Sequence, residues 1–98
     1  MSLEVVWTEN AERRLAEIEE YIAEDSPMAA ETFVAKLVGR GESLKDSATR
    51  GRPIPELPAS GIREVLEGNY RIMYRIGGRR VEILTVFEGH RLLDPAEL

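Results

Sequence analysis

The 98-residue chain contains no cysteine and a single histidine, His90. Without thiols neither a disulfide framework nor a thiolate metal site can hold it, and one imidazole rules out a histidine-rich metal centre. A reducing compartment suits such a chain, so we expect a cytoplasmic protein with no metal and no cofactor. No apolar run approaches the roughly 18 residues of a membrane span. The opening MSLEVVWTEN carries neither a basic region nor a long apolar core, and neither a leader nor membrane association is expected. Lysine is scarce, at Lys36 and Lys45 only, against eleven arginines. Eighteen acidic residues against thirteen basic ones leave a formal charge of −5. That balance argues against stable nucleic-acid binding by the chain alone, although it leaves room for a local basic patch.

What is present is enough for one modest core: hydrophobic residues make up 43% of the chain, and 1–98 reads as one domain. Its organising stretch is Gly61–His90, which reads as three strands joined by two tight turns. In Tyr70–Ile76, Tyr70, Ile72, Tyr74 and Ile76 fall on one face and Arg71, Met73 and Arg75 on the other. Gly77-Gly78 offers the positive φ angles of a two-residue hairpin, which predicts Ile76 opposite Arg79, Tyr74 opposite Val81 and Ile72 opposite Ile83. Met73 would then oppose Glu82 and Arg71 oppose Leu84. Apolar residues on both sides of Val81–Phe87 mark an interior strand. Ile62–Leu66 alternates weakly and belongs towards an edge, reaching the hairpin through Gly68 and Asn69.

The first half reads as cover for this sheet. Leu3–Trp7 is a short strand rich in β-formers and the natural extra neighbour of Val81–Val86. Thr8 caps a helix whose stripe of Ala11, Leu15, Ile18 and Ile22 ends near Glu24 or Asp25. Ser26-Pro27 opens a second helix, expected to run to about Asp46 or Ala48. Gly39 and Gly41 inside it each cost about 1 kcal/mol against alanine, which calls for close packing of two helices or for a break. Arg50–Pro58, with three prolines, excludes helix and central strand and reads as a stiff connector. The whole is an α+β chain of order β-α-α-β-β-β, two antiparallel helices packed on one face of a mostly antiparallel sheet.

The segments W-T-E-N-A-x-R-x-L-x-x-I-x-x-Y-I-A, S-P-x-A-A, G-R-P-I-P-E-L, G-I-R-E-V-L-E-G-N-Y-R-I-M-Y-R-I and V-E-I-L-T-V occur in that order. Together they resemble the ParE branch of the RelE/ParE toxin superfamily. The resemblance spans nearly the whole chain and implies this same fold. It also implies a toxin of a type II toxin–antitoxin module, neutralised by a cognate, ParD-like or similar antitoxin. ParE-like members poison DNA gyrase without a recognised hydrolytic site; RelE-like members cut messenger RNA in the ribosome. Where ParE-like sequences read H-G-x-R after the last strand, this chain has Glu88-Gly89-His90-Arg91.

Both activities can be set against the residues. Cleavage through the 2′-hydroxyl needs a base, cations on the phosphate and an acid for the leaving oxygen. The resemblance places Arg71 where ribonuclease relatives hold phosphate, with Arg63 and His90 as the other candidate catalytic groups. In the connector, Ile54 matches the position where some ribonucleases carry a carboxylate, and Glu56 stands two places on. For antitoxin binding, the strand faces nominate Arg71, Met73, Arg75, Leu84 and Val86, arginines among apolar residues that suit partner carboxylates. Simple cross-strand pairing of Arg63, Arg71 and Arg75 with Glu64, Glu67 or Glu82 is the plain alternative. A degenerate module that acts only with its antitoxin in autorepression is the third reading.

Overall fold

In the computed structural model, which describes residues 2–98, Glu4–Trp7 forms β1 and Glu9–Ala23 forms α1. Thr8 ends the strand and starts the helix at once. Its Oγ1 accepts from the Ala11 N–H at 3.1 Å and donates to the Leu84 carbonyl at 3.1 Å, so the N-cap also ties the helix to the sheet. Ser26 caps α2, Pro27–Glu42, with proline in the first turn where no N–H is needed. A four-residue helix α3, Leu44–Ser47, and a 3₁₀ turn at Ala48–Arg50 follow.

The break after Glu42 corrects the expectation of one helix running to Asp46 or Ala48. Gly41 explains the close approach near it. A Cβ there would lie 2.4 Å from the Trp7 ring and 2.9 Å from Ile83 Cδ1. The glycine thus meets a strand tryptophan rather than the other helix, while Gly39 has open space where its Cβ would be. Trp7 completes the join by donating its indole N–H to Glu42 Oε1 at 3.0 Å.

The connector contributes β2, Arg52–Pro53, and the three strands expected next are β3, Ile62–Glu67, β4, Tyr70–Gly77, and β5, Arg80–Glu88. The sheet order is β1-β5-β4-β3-β2, with β1 parallel to β5 and the remaining pairs antiparallel. The interior placement of β5 and the neighbour assigned to it from the sequence are both seen. The two-residue β2 on the outer edge suits a proline-rich segment, because Pro53 has no N–H to offer a further strand.

The hairpin register differs from the one expected. Tyr74 faces Ile83 and Ile76 faces Val81, because β4 continues through Gly77 and the loop is Gly78-Arg79, with Gly78 at φ +62°. A two-residue slide keeps every side chain on its face. A second irregularity does not: Met73 pairs with Thr85 while Tyr74 pairs with Ile83, so Leu84 is the extra residue of a β-bulge. Beyond it the phase of β5 inverts. Ile72 consequently faces Val86 and Arg71 faces Phe87.

The two sides of the sheet carry separate cores. On the helix side, Ala11, Ile18, Leu37 and Leu44 pack onto Val65, Ile72, Tyr74, Val81, Ile83 and Val86. On the other side, Ile54, Ile62, Met73, Leu84 and Phe87 form a smaller cluster covered in part by Leu93 and Leu98. The Tyr74 hydroxyl, fully buried, accepts from the Gly51 N–H at 3.0 Å and donates to the Ala48 carbonyl. Burial raises its pKa, which keeps it a donor. Gly51 is obligatory there, since a Cβ would fall 2.0 Å from that hydroxyl.

Candidate functional site

The outer sheet face brings together most of the residues nominated for partner binding. Arg71, Met73 and Arg75 project from β4 on the side away from the helices, and Leu84 joins them through the bulge. Val86 does not. The phase inversion after Leu84 turns it inward, where it lies fully buried with Ile72 on the helix side.

Arg71 is the centre of this face. It is 7% exposed and its guanidinium is fully engaged. Its Nε donates to Glu64 Oε1 at 2.6 Å, and Nη1 and Nη2 donate to the two oxygens of Glu56 at 2.6 and 2.7 Å. Its plane also lies over the Phe87 ring, 5.3 Å from the centroid. Glu64, 1% exposed, passes the charge on, accepting from Arg52 Nε at 2.6 Å through its second oxygen. Two arginines and two carboxylates thus form a neutral chain that pins the connector to β3 and β4. The bidentate bond to Glu56 holds Arg71 protonated, and the same bond lowers the Glu56 pKa. Arg75 sits further out, with a looser contact of 3.4 Å to Glu82.

The three groups nominated for RNA cleavage are not assembled as a set. Arg71 and His90 line one shallow depression, together with Arg52 and Asn69. Arg63 lies on the opposite face, paired across from Tyr74, where Nη1 donates to the Gly51 carbonyl at 2.7 Å. His90 is exposed beyond the end of β5, and its backbone N–H donates to Glu88 Oε1 at 3.2 Å. Cross-strand pairing, the plain reading of the arginines, is therefore realised for Arg71 with Glu64 and for Arg75 with Glu82. Among the described residues, no group of three or more His, Asp or Glu side chains is placed to hold a metal ion.

A second clamp closes the tail over the same face. Glu97 accepts from Arg14 Nε at 2.6 Å, Thr85 Oγ1 at 2.9 Å and Asn10 Nδ2 at 3.4 Å. The Arg14 bond leads in lowering its pKa to about 2. Beside it, Arg14, Tyr21, Tyr70, Val86 and Arg91 line a cleft of about 290 Å³ between α1 and the end of β5. Sequence reasoning missed both carboxylate clamps. Glu64 was named among the expected partners of the arginines, and it shares a face with Ile62 by simple alternation, but Glu56 and Glu97 sit in irregular segments that no periodicity places.

Residues 5–93 match the family model described as ParE toxin of type II toxin-antitoxin system, parDE. The chain belongs to the ParE toxin family. It is 39% identical over 85 residues to a putative toxin, Y4kP, of Sinorhizobium fredii, covering 87% of this chain and 86% of that protein. It is 33% identical over 90 residues to toxin RelE2 of Caulobacter vibrioides, covering 91% and 98%. Among solved structures, a chain of the chromosomal ParDE TA system from P. aeruginosa superposes with a TM-score of 0.76 at 23% identity, covering 89% of this chain and 96% of that one. A chain of the RelBE2 toxin-antitoxin complex from Mycobacterium tuberculosis gives 0.67 at 26% identity, covering 90% and 99%. The helix pair on a five-stranded mixed sheet is the ParE/RelE toxin fold, and this family member is a type II toxin of that superfamily.

Proposed function

We propose that this toxin arrests growth in the cytoplasm by binding DNA gyrase rather than by cutting RNA, and that a ParD-like antitoxin neutralises it. The observation that carries the choice is the state of Arg71. An arginine that stabilises a phosphorane-like transition state must present unspent donors to the phosphate. Here its fork is filled by Glu56, its Nε is held by the buried Glu64, whose negative charge stays beside any phosphate even when the fork opens, and Arg63 points to the other side of the sheet. The net charge of −5 weighs the same way, because a protein entering an RNA-walled site gains from excess positive charge.

The antitoxin half of the reading is supported by the solved relatives, which come from a ParDE system and a RelBE2 toxin-antitoxin complex. Of the outer-face residues nominated for such a partner, Arg75 is open to it as the sheet stands, whereas Arg71, Met73 and Leu84 lie buried under the connector and the tail and meet a partner only where that cover moves aside. The specific observation in favour of a ribonuclease is that Arg71 and His90 share a depression. Expression in a bacterial host without antitoxin separates the two. Loss of negative supercoiling and DNA breakage with continuing translation is expected. Prompt translational arrest with cleaved messages would reverse the assignment, and unimpaired growth would leave the autorepression module.

A further inference from the structure

The bond between Arg71 and Glu56 joins two unlike parts of the molecule. Arg71 is set in a central strand, whereas Glu56 stands at the tip of an irregular turn flanked by Pro55 and Pro58, with its side chain 33% exposed. The turn is internally self-sufficient. Ser60 N–H and Oγ both bond to the Leu57 carbonyl, at 3.0 and 2.7 Å, and the Leu57 N–H bonds to the Ile54 carbonyl at 3.3 Å. Ile54 anchors its root, fully buried, with its N–H on the Ile62 carbonyl at 3.1 Å. Gly61, at φ +82°, returns the chain to β3. The turn can therefore swing between these two ends by breaking little more than the Glu56 fork.

We propose that Arg71 is a carboxylate-receiving site that this chain keeps closed with its own Glu56, and that a protein partner binds there by exchanging one of its acidic side chains for Glu56. The exchange replaces one bidentate guanidinium–carboxylate pair by another, so the arginine is never left buried and unpaired. Its charge bookkeeping also balances. With Glu56 withdrawn, Arg52, Arg71 and Glu64 leave one net positive charge, which a monoanionic carboxylate neutralises. A phosphate dianion would instead be held next to Glu64, which is fixed on Nε and cannot retreat, and the like charges oppose each other. The depression that already reaches Arg71, between Pro55, Leu66 and Asn69, gives the incoming side chain its path. Swinging the turn away also frees Leu57, already 42% exposed, to join the contact.

The proposal rests on the reading that this toxin has an antitoxin, yet its first test needs neither the antitoxin nor gyrase. Glu56→Ala in the full chain should lower Tm, and sodium acetate should restore part of the loss relative to sodium chloride at equal ionic strength. The Arg71 Nε–H resonance should return towards its wild-type position in the same titration, while wild-type protein should respond to neither. No difference between acetate and chloride would overturn the site, and phosphate restoring more than acetate would overturn the choice of a carboxylate. Glu56→Gln, which keeps the side-chain volume, guards against a variant that fails to fold. The second test is affinity for the antitoxin encoded beside the toxin. With no resident carboxylate to displace, Glu56→Gln should bind about tenfold more tightly, the worth of one charge-assisted pair, and unchanged or weaker binding would overturn the exchange. Acetate rescue with no growth arrest on expression would instead sink the gyrase reading and leave the site standing.

Discussion

The two faces of the sheet are closed by different means. On the helix side, long amphipathic elements lay down apolar side chains at helical and strand spacing, and the resulting core contains Leu37, Ile72, Tyr74 and Val86 with full burial. On the outer side the cover is two irregular pieces, the connector around Ile54 and the tail carrying Leu93 and Leu98. Each piece is clamped through a carboxylate–arginine bond, Glu56 on Arg71 and Glu97 on Arg14, with Arg52 on Glu64 adding to the first and Thr85 and Asn10 on Glu97 adding to the second. A face closed by helices is expected to open only on global unfolding. A face closed by clamped irregular segments can open locally, which is where a binding surface is best placed.

The contrast is tested most severely by Leu37→Ala, which removes a fully buried side chain from the helix-side core and should cost about 2–5 kcal/mol in denaturant unfolding. Antitoxin affinity per folded molecule should be unchanged. On the outer face, Glu64→Gln weakens its bonds to two arginines and should cost about 2–3 kcal/mol by the same measurement, while altering antitoxin affinity as well. If the two substitutions shifted binding equally, the division of labour between the faces would be wrong.

Glu97→Gln comes next, at about 1–3 kcal/mol, because it weakens three hydrogen bonds that hold the tail. Its signature is pH dependence. The folded pKa of about 2 lies below the ordinary 4.5, so the clamp contributes fully above pH 4.5 and is lost as pH falls towards 2. Glu56, lowered by Arg71, works in the same direction. Urea titrations of wild type across that window should show a decline that the Gln variant partly lacks. Hydrogen exchange refines the picture without mutation: the Ile54 N–H, bonded to the Ile62 carbonyl, should exchange before the amides of β4. The smallest effect is expected at Arg75, whose partly exposed 3.4 Å pair with Glu82 is worth about 0–1 kcal/mol. Arg75→Ala should therefore leave stability nearly unchanged and report on partner binding alone.

Much of this is legible in the sequence. Alternation in Tyr70–Ile76 separated Arg71, Met73 and Arg75 from the helix-side core, although Met73 belongs to the smaller core of the outer face, and Thr8 and Ser26-Pro27 announced the helices they cap. Those signals are local, and the residue types at those spacings have few alternatives. Val86 shows the limit. Its facing depends on the extra residue at Leu84, and a bulge leaves no mark in a run where both faces are apolar.

What the sequence determined by itself is the order of elements and the face of each β4 side chain, which follow from periodicity, caps and turn residues read over a few positions, and the family, which rests on the resemblance carried by five ordered segments. The tertiary structure alone decided the hairpin slide to Gly78-Arg79, the seat of Gly41 under Trp7, and the closing of Arg71 by Glu56. These depend on groups far apart in the chain meeting at atomic distance. A carboxylate in an irregular turn has no period to betray its partner, and only packing brings Glu56 over the strand that carries Arg71.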